Sequence, residues 1–276
     1  MAKRSKRILI LGGSGFLGSN LYKELQAYFD TYATYHTGVK KYHENKRFEQ
    51  WDAYEESPTI LIQQIKPDVV ISAFRTSANN QIQVHQELAI LALEFGFQII
   101  YFSSANVFDA FTNYPSYEYD KTLSVSSYGK YQIRIENLLM RLPEAHFCIA
   151  RLPMIFGHDS PRIKEIKWLH QLNEAIEVFP NVVINATVFP KITQQVHYII
   201  NRELTGIFHL GSSDLIHHNE LIEEICFKLQ IENPLFKQVY DSNQDRFLAP
   251  VPKDHPLPQH LEISMEEVIK KSIEIK

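Results

Sequence analysis

The chain has 276 residues, 45% of them hydrophobic and 22% charged, with a formal net charge of -4. That is enough apolar material for one large α/β domain or a nucleotide domain with an appendage, and it gives no electrostatic case for nucleic acid or an anionic membrane. Two cysteines, Cys148 and Cys226, exclude a disulfide framework, the cysteines and twelve histidines show no metal-ligand spacing, and no run approaches the ~20 apolar residues of a membrane span or forms a secretory leader, so a cytoplasmic protein without a metal is expected.

The basic start, Lys3-Arg4-Ser5-Lys6-Arg7, reads as a solvated tail leading into the first strand. Short apolar runs at 7–11, 31–35, 68–72, 98–102 and 147–151 read as strands. Between them, Leu17, Leu21 and Leu25 share a helical face, 82–95 carries a second apolar stripe, and Ile133, Leu138 and Leu139 place a third helix over 127–140 that Pro143 ends. This alternation predicts βαβ units and a doubly wound parallel sheet, the α/β class of nucleotide-binding Rossmann folds. After Arg151, prolines 153, 161, 180 and 190 break the pattern into shorter pieces; a strand at 206–210 and an amphipathic helix at 218–229 still stand out, with His217-His218 as a helix start. The expected organisation is a Rossmann domain over 1–157, its sheet completed by about 204–211, and a mainly substrate-binding lobe over 158–276.

Ile8-Leu9-Ile10-Leu11 runs into Gly12-Gly13-Ser14-Gly15-Phe16-Leu17-Gly18. Glycines between a strand and a helix let a pyrophosphate approach backbone N–H groups at the positive helix end. The spacing Gly-x-x-Gly-x-x-Gly resembles that of extended short-chain dehydrogenases/reductases. That resemblance makes Gly12, Ser14, Gly15, Phe16, Leu17 and Gly18 cofactor contacts. Where an acidic residue would grip the adenosine ribose, the chain has His36-Thr37-Gly38, with Lys40 and Lys41 following. Without a carboxylate to repel a 2′-phosphate, NADP is favoured over NAD, although the lysines also read as a solvated loop. Asp52 fits the family's aspartate beside the adenine.

Ile65-Lys66-Pro67-Asp68-Val69-Val70-Ile71-Ser72-Ala73 closely resembles the fourth-strand motif of the dTDP-4-dehydrorhamnose reductase family, whose backbone follows the cofactor, so Ala73, Phe74 and Arg75 join the cofactor set. Ser103-Ser104-Ala105-Asn106-Val107-Phe108-Asp109 resembles the family's Ser-Thr-Asp-Tyr-Val-Phe-Asp segment. By position Ser104 is the hydroxyl for a substrate carbonyl, while Ala105 and Asn106 depart from the pattern. Tyr117-Glu118-Tyr119-Asp120 is similar to the loop before the catalytic helix. Tyr117 and Lys121 are four apart but lie in a loop, where that spacing does not place them on one face.

Tyr128-Gly129, with Ile133 and Glu136, matches the family's Tyr-Gly-x-x-Lys-Leu-x-x-Glu, except that Gln132 holds the lysine position. In such reductases a hydride reaches the carbonyl carbon while the tyrosine protonates the oxygen, and the lysine makes the phenol more acidic. Gln132 offers a hydrogen bond to the nicotinamide ribose but no charge. Lys130 is about 200° round the helix from Tyr128, leaving Lys121 or Arg75 as substitute cations. Arg151-Leu152-Pro153-Met154-Ile155-Phe156-Gly157 resembles the sixth-strand motif bordering the nicotinamide and sugar, which marks Phe156, with Ser104, Asn106 and Tyr128, as substrate contacts. Gly206-Ile207-Phe208-His209-Leu210 resembles Gly-Ile-Tyr-His-Leu.

The resemblance implies an NADP- or NAD-dependent reductase of a nucleotide-linked 4-keto-sugar, serving cell-surface polysaccharide precursors, in which Ser104, Tyr128 and Gln132 are catalytic. It also allows a homodimer. The second reading is a cofactor-binding protein without turnover, similar to the regulatory subunit of methionine adenosyltransferase, which shares the fold. Gln132 favours that reading; Tyr128 and Ser104 favour the enzyme.

Overall fold

The structure, a computed structural model, describes residues 5–37, 40–110, 113–240 and 242–274, without the side chains of Lys40 and Lys41. Lys3, Arg4, Gly38 and those two lysine side chains, all named above, therefore lie outside the described residues. In chain order the elements of the nucleotide-binding half are β1 (Arg7–Leu11), α1 (Phe16–Leu25), β2 (Asp30–Tyr35), α2 (Lys40–His43), β3 (Phe48–Gln50), α3 (Thr59–Ile65), β4 (Val69–Ser72), α4 (Ala78–Phe95), β5 (Gln98–Ser104), α5 (Ser127–Leu139) and β6 (Phe147–Leu152). The remainder forms β7 (Met154–Phe156), α6 (Pro161–Gln171), β8 (Ile176–Val178), β9 (Val182–Ile184), β10 (Ala186–Val188), α7 (Phe189–Arg202), β11 (Gly206–His209), β12 (Ile216–His217), α8 (His218–Lys228), β13 (Phe236–Gln238), β14 (Arg246–Leu248) and α9 (Met265–Ile273).

Seven strands form one sheet in the order β11-β6-β5-β4-β1-β2-β3, flanked by helices. β1 lies between β2 and β4 and runs parallel to both, with Ile10 opposite Ala33 on one side and Ile71 on the other. A strand covered on both faces needs apolar residues on both, which is why Ile8, Leu9, Ile10 and Leu11 form an unbroken run and are fully buried. Each contributes roughly 1.5–3 kcal/mol of burial. The helices bury the expected stripes: Gly18, Leu21 and Leu25 on α1, and Val84, Leu88, Leu91 and Ala92 on α4. α4 stops where Gly96 turns left-handed, at φ 77°, and gives its N–H to Ala92. α5 differs, because its buried face carries Gln132 and Glu136 among Ile135 and Leu139. β3 is three residues long and falls outside the expected strands; it pairs with β2 through Ala33–Phe48. Lys6 and Arg7 are not a solvated tail. Lys6 donates to the Ile200 carbonyl at 2.8 Å and pairs with Glu203, and Arg7 pairs with Asp30 at 2.8 Å.

The chain divides into two units. The first comprises Met1–Ser103, Ser127–Ala150 and Thr193–Ile207, and the second Ser104–Ser126, Arg151–Ile192 and Phe208–Lys276. Where the sequence suggests a boundary at 157, the chain changes unit at several points, because 104–126 packs with later residues and most of α7 with the sheet. The second unit has its own core, built on Phe156, Val178, Ile184, Val188, Leu221 and Val268. Its strands form short sets: β12-β9-β14, β10 with β7, and β13 with β8. α9 begins with a capping box in which Ser264 and Glu267 satisfy each other's backbone N–H. Among the described residues no helix is long and apolar enough to cross a membrane.

Candidate functional site

In the first unit the glycine turn is set by close packing. Gly12 has φ +86°, and a Cβ there would lie 2.6 Å from the Phe74 backbone; one at Gly18 would lie 2.2 Å from the Gly12 carbonyl. Gly15 is different, since a Cβ would meet only the Gly12 oxygen, at 3.3 Å. Gly15 is also the N-cap of α1, and no side chain caps that helix. A helix start with open space before it and no capping side chain suits an anion. At the other end, His36 Nε2 donates to Asp52 Oδ2 at 3.1 Å, and Asp52 also accepts the Tyr54 N–H at 2.9 Å. That backbone bond, together with His36, holds the Asp52 carboxyl below its ordinary value despite partial desolvation.

Ala73 leaves β4 with its N–H on the Leu11 carbonyl. The Phe74 ring then packs edge-on against Trp51 and stacks on His85. His85 is fully buried, donates from Nδ1 to the Gln81 carbonyl at 2.6 Å and takes the Ser72 hydroxyl at Nε2. Burial lowers its pKa to about 4, so it is neutral. Arg75 follows, with its guanidinium carbon 5.5 Å from the centre of the Tyr128 ring.

Tyr128, half-buried in the first turn of α5, belongs to a phenol cluster that the sequence did not reveal. Its ring meets Tyr131 edge-on at 5.2 Å. Gln132, 5% exposed, accepts the Tyr101 hydroxyl and donates to the Tyr131 oxygen at 3.4 Å. Ser103 donates to Glu136, one turn further on. Burial, and then the neighbouring Tyr131 and Glu136, push the Tyr101 hydroxyl well above its usual range, with Arg75 opposing them. Tyr131 is raised by burial and by Tyr128, again against Arg75.

In the second unit Ser104 caps the 3-10 turn Ala105–Phe108. Its hydroxyl donates to Asn106 Oδ1 at 3.0 Å and accepts the Asn106 N–H. Asp109 accepts the Val125 N–H at 2.7 Å and the Ser126 hydroxyl. Its desolvation is outweighed by hydrogen bonds from Ser126, Ser124 and Val125, which lower its pKa. Next to it opens a cavity of about 300 Å³, lined by Phe108, Met154, Phe179, Phe247 and Leu248, with Asp109, His218 and Arg246 as its polar groups. An apolar pocket with a few placed polar groups is the usual form of a small-molecule site. Burial and the nearby Arg162 lower His218 to about 4. Phe156 is fully buried in this unit's core, while Met154, two residues earlier, lines the cavity. Tyr117 and Lys121 sit outside any helix, and Tyr117 lies under Lys253 at 4.2 Å. Arg151, 1% exposed, donates to the Glu118 carbonyl at 2.9 Å and to His209 Nε2. Phe179, Phe247, Tyr101 and Tyr131 carried no sequence signal beyond their aromatic type, and Arg246 none beyond its charge.

The sheet order and the glycine turn after β1 define a nucleotide-binding Rossmann fold. The chain belongs to the family described as RmlD substrate binding domain, whose model matches residues 6–268. Methionine adenosyltransferase 2 subunit beta from Mus musculus is 28% identical over 167 residues, 55% of this chain and 48% of that protein. The Bos taurus protein of the same name is 26% identical over 174 residues, 58% and 50% of the two chains. The chain thus spans about half the length of the curated relatives it matches. Among solved structures, dTDP-4-dehydrorhamnose reductase from Yersinia enterocolitica superposes with a TM-score of 0.76 at 19% identity, over 98% of this chain and 99% of that one. The Bacillus anthracis dTDP-4-dehydrorhamnose reductase in complex with NADP gives 0.75 at 17%, over 97% and 98%. The Bordetella bronchiseptica enzyme WbmG in complex with NAD gives 0.77 at 17%, over 99% and 94%. At these identities the structures show a shared fold.

Proposed function

We propose that this chain is an NADP- or NAD-dependent reductase of a nucleotide-linked 4-keto-sugar. The observation that carries the reading is Tyr128: a phenol at the start of α5, half-buried, beneath a guanidinium and in the same unit as an uncapped, glycine-lined helix start. The residues present fit a dinucleotide. The glycine turn and the start of α1 would hold the pyrophosphate, and the His36–Asp52 pair would face the adenosine end, where His36 rather than a carboxylate suits a 2′-phosphate. When bound, the reduced nicotinamide supplies the hydride.

Tyr128 gives its proton to the carbonyl oxygen as the ketone becomes an alcohol. Ser104, in the second unit, has a hydroxyl that can turn from Asn106 to polarise a substrate carbonyl. Gln132 contributes through its amide, with its oxygen already committed to Tyr101. In the second unit, the cavity beside Phe108 and Met154 offers apolar walls for a base or sugar and Arg246 for a phosphate. Cytoplasmic placement and a homodimer belong to the same reading, the dimer to be checked by light scattering.

A second reading has a specific observation behind it. The curated relatives are named as a subunit, methionine adenosyltransferase 2 subunit beta, and a neutral Gln132 with its oxygen occupied suits a protein that binds the dinucleotide without turning it over. One experiment separates the two: NADPH binding, then NADPH oxidation with dTDP-4-keto-sugars, in wild type, Tyr128→Phe and Gln132→Lys. The reductase reading expects turnover in wild type, lost at least a hundredfold in Tyr128→Phe. Tight NADPH binding with turnover only in Gln132→Lys would overturn it.

A further inference from the structure

We propose that Arg75, from the β4–α4 loop, supplies the positive charge that Gln132 does not, and is the positioning residue for the Tyr128 phenol. The inference deepens the reductase reading and rests on it for its catalytic meaning, but its geometry stands within the first unit alone.

A positive charge is what the buried α5 face lacks. Gln132 is neutral, and both ends of its amide are engaged, the oxygen by Tyr101 and the nitrogen by Tyr131. The groups near the Tyr128 ring are the phenols Tyr131 and Tyr101; the Glu136 carboxylate lies about two turns further along α5, on the Ser103 hydroxyl, and the neutral His85 packs against Tyr101. Burial, then Tyr131 and Glu136, already raise the Tyr101 hydroxyl in this cluster. Among the described residues of this unit, the cation over the Tyr128 ring is Arg75, 5.5 Å from the ring centre.

The arginine is aimed by the backbone on either side of it. On one side the Phe74 carbonyl accepts the amide of Gln81, itself 4% exposed, at 2.9 Å, and the Phe74 ring is fixed between Trp51 and His85. On the other, the Ser77 N–H is held by the Tyr54 hydroxyl at 3.0 Å. No carboxylate lies within ion-pair distance of Arg75 among the described residues, so its charge is not already neutralised. Arginine is the side chain suited to a fixed positive charge, which a surrogate for a lysine requires. Its influence reaches the cluster as a whole, since it opposes the rise at both Tyr101 and Tyr131. In solvent the attraction is screened, and ligand binding over the loop would strengthen it.

The test has two arms. In the first, tyrosinate absorbance of the cluster is titrated without substrate in wild type, Arg75→Gln and Arg75→Lys, with Tyr128→Phe as the reference. Arg75→Gln should move the cluster's transition to higher pH by about 0.5–1, and Arg75→Lys should restore most of it. In the second, the pH profile of kcat is measured. Arg75→Gln should lower kcat three- to tenfold near neutral pH at saturating NADPH, and Gln132→Lys in the Arg75→Gln background should recover it. Arg75 is exposed, so folding of each variant is checked by its thermal transition. An unmoved phenol transition in Arg75→Gln would overturn the proposal. A wild type without turnover would sink the reductase reading, while the absorbance arm would still decide on Arg75.

Discussion

Replacing Gln132 by leucine removes the acceptor of a phenol that has nowhere else to turn. Tyr101 is 3% exposed on a central strand, and its hydroxyl donates to Gln132 Oε1 across a sequence separation of 31. Leaving a buried donor unsatisfied costs about 1–3 kcal/mol. Tyr101→Phe makes the complementary defect, a glutamine oxygen, 5% exposed, without its donor, and should cost a similar amount. The double variant Tyr101→Phe/Gln132→Leu leaves neither group. It should therefore be more stable than the sum of the singles predicts by roughly 1–2 kcal/mol. Urea unfolding of wild type, both singles and the double at neutral pH, read by far-UV circular dichroism, measures the cycle. Additivity within about 0.5 kcal/mol would show that the two side chains are not coupled and that Gln132 is not held by Tyr101.

Glycine substitutions should separate fold from ligand. Gly18→Ala drives a methyl to 2.2 Å from the Gly12 carbonyl and should destabilise the protein by about 1–3 kcal/mol, seen as a lower thermal midpoint. Gly15→Ala meets only one atom at 3.3 Å, so it should fold nearly as well and lose NADPH affinity in a fluorescence titration. Acid should also act through a named group. His85 falls from 6.5 to about 4 because it is buried, so between those values the unfolded chain binds a proton that the folded chain does not. Stability therefore rises with pH across this window and is lost as pH falls through it, by roughly 2–3 kcal/mol for His85 at pH about 4.5. Urea midpoints at neutral and acid pH should show a smaller loss in His85→Gln; an equal loss would remove His85 as a source. His209, lowered to about 3 by burial and Arg151, adds the same sign in the second unit.

What the sequence determined by itself is local or is repeated along the chain. The apolar run of β1 and its glycines could be read because a central parallel strand buries both faces and a tight strand-to-helix turn admits no side chain at Gly12 or Gly18. The start of α5 at Ser127 and its end before Pro143 were equally legible, as was α8 from His218. β3 was not, since three residues are too few to show a period and its existence depends on β2. The Tyr117 and Lys121 spacing shows the reverse limit: the right separation in sequence, with no helix to make it a face.

Tertiary structure decided what surrounds Tyr128 and Gln132. That Gln132 faces Tyr101, that Arg75 reaches the Tyr128 ring from a loop 53 positions earlier, and that Phe108, Met154, Phe179 and Arg246 line one cavity are all contacts between distant segments. Residue type and spacing constrain neighbours within a turn or a strand, because backbone geometry sets those distances. Which buried donor meets which acceptor depends on how strands and helices pack, and a tyrosine in a strand reads as core until its hydroxyl is found beside a glutamine. The sequence therefore specified a Rossmann fold with Tyr128 and Gln132 on one helix, and the packing of β5 and α5 decided which groups that glutamine meets.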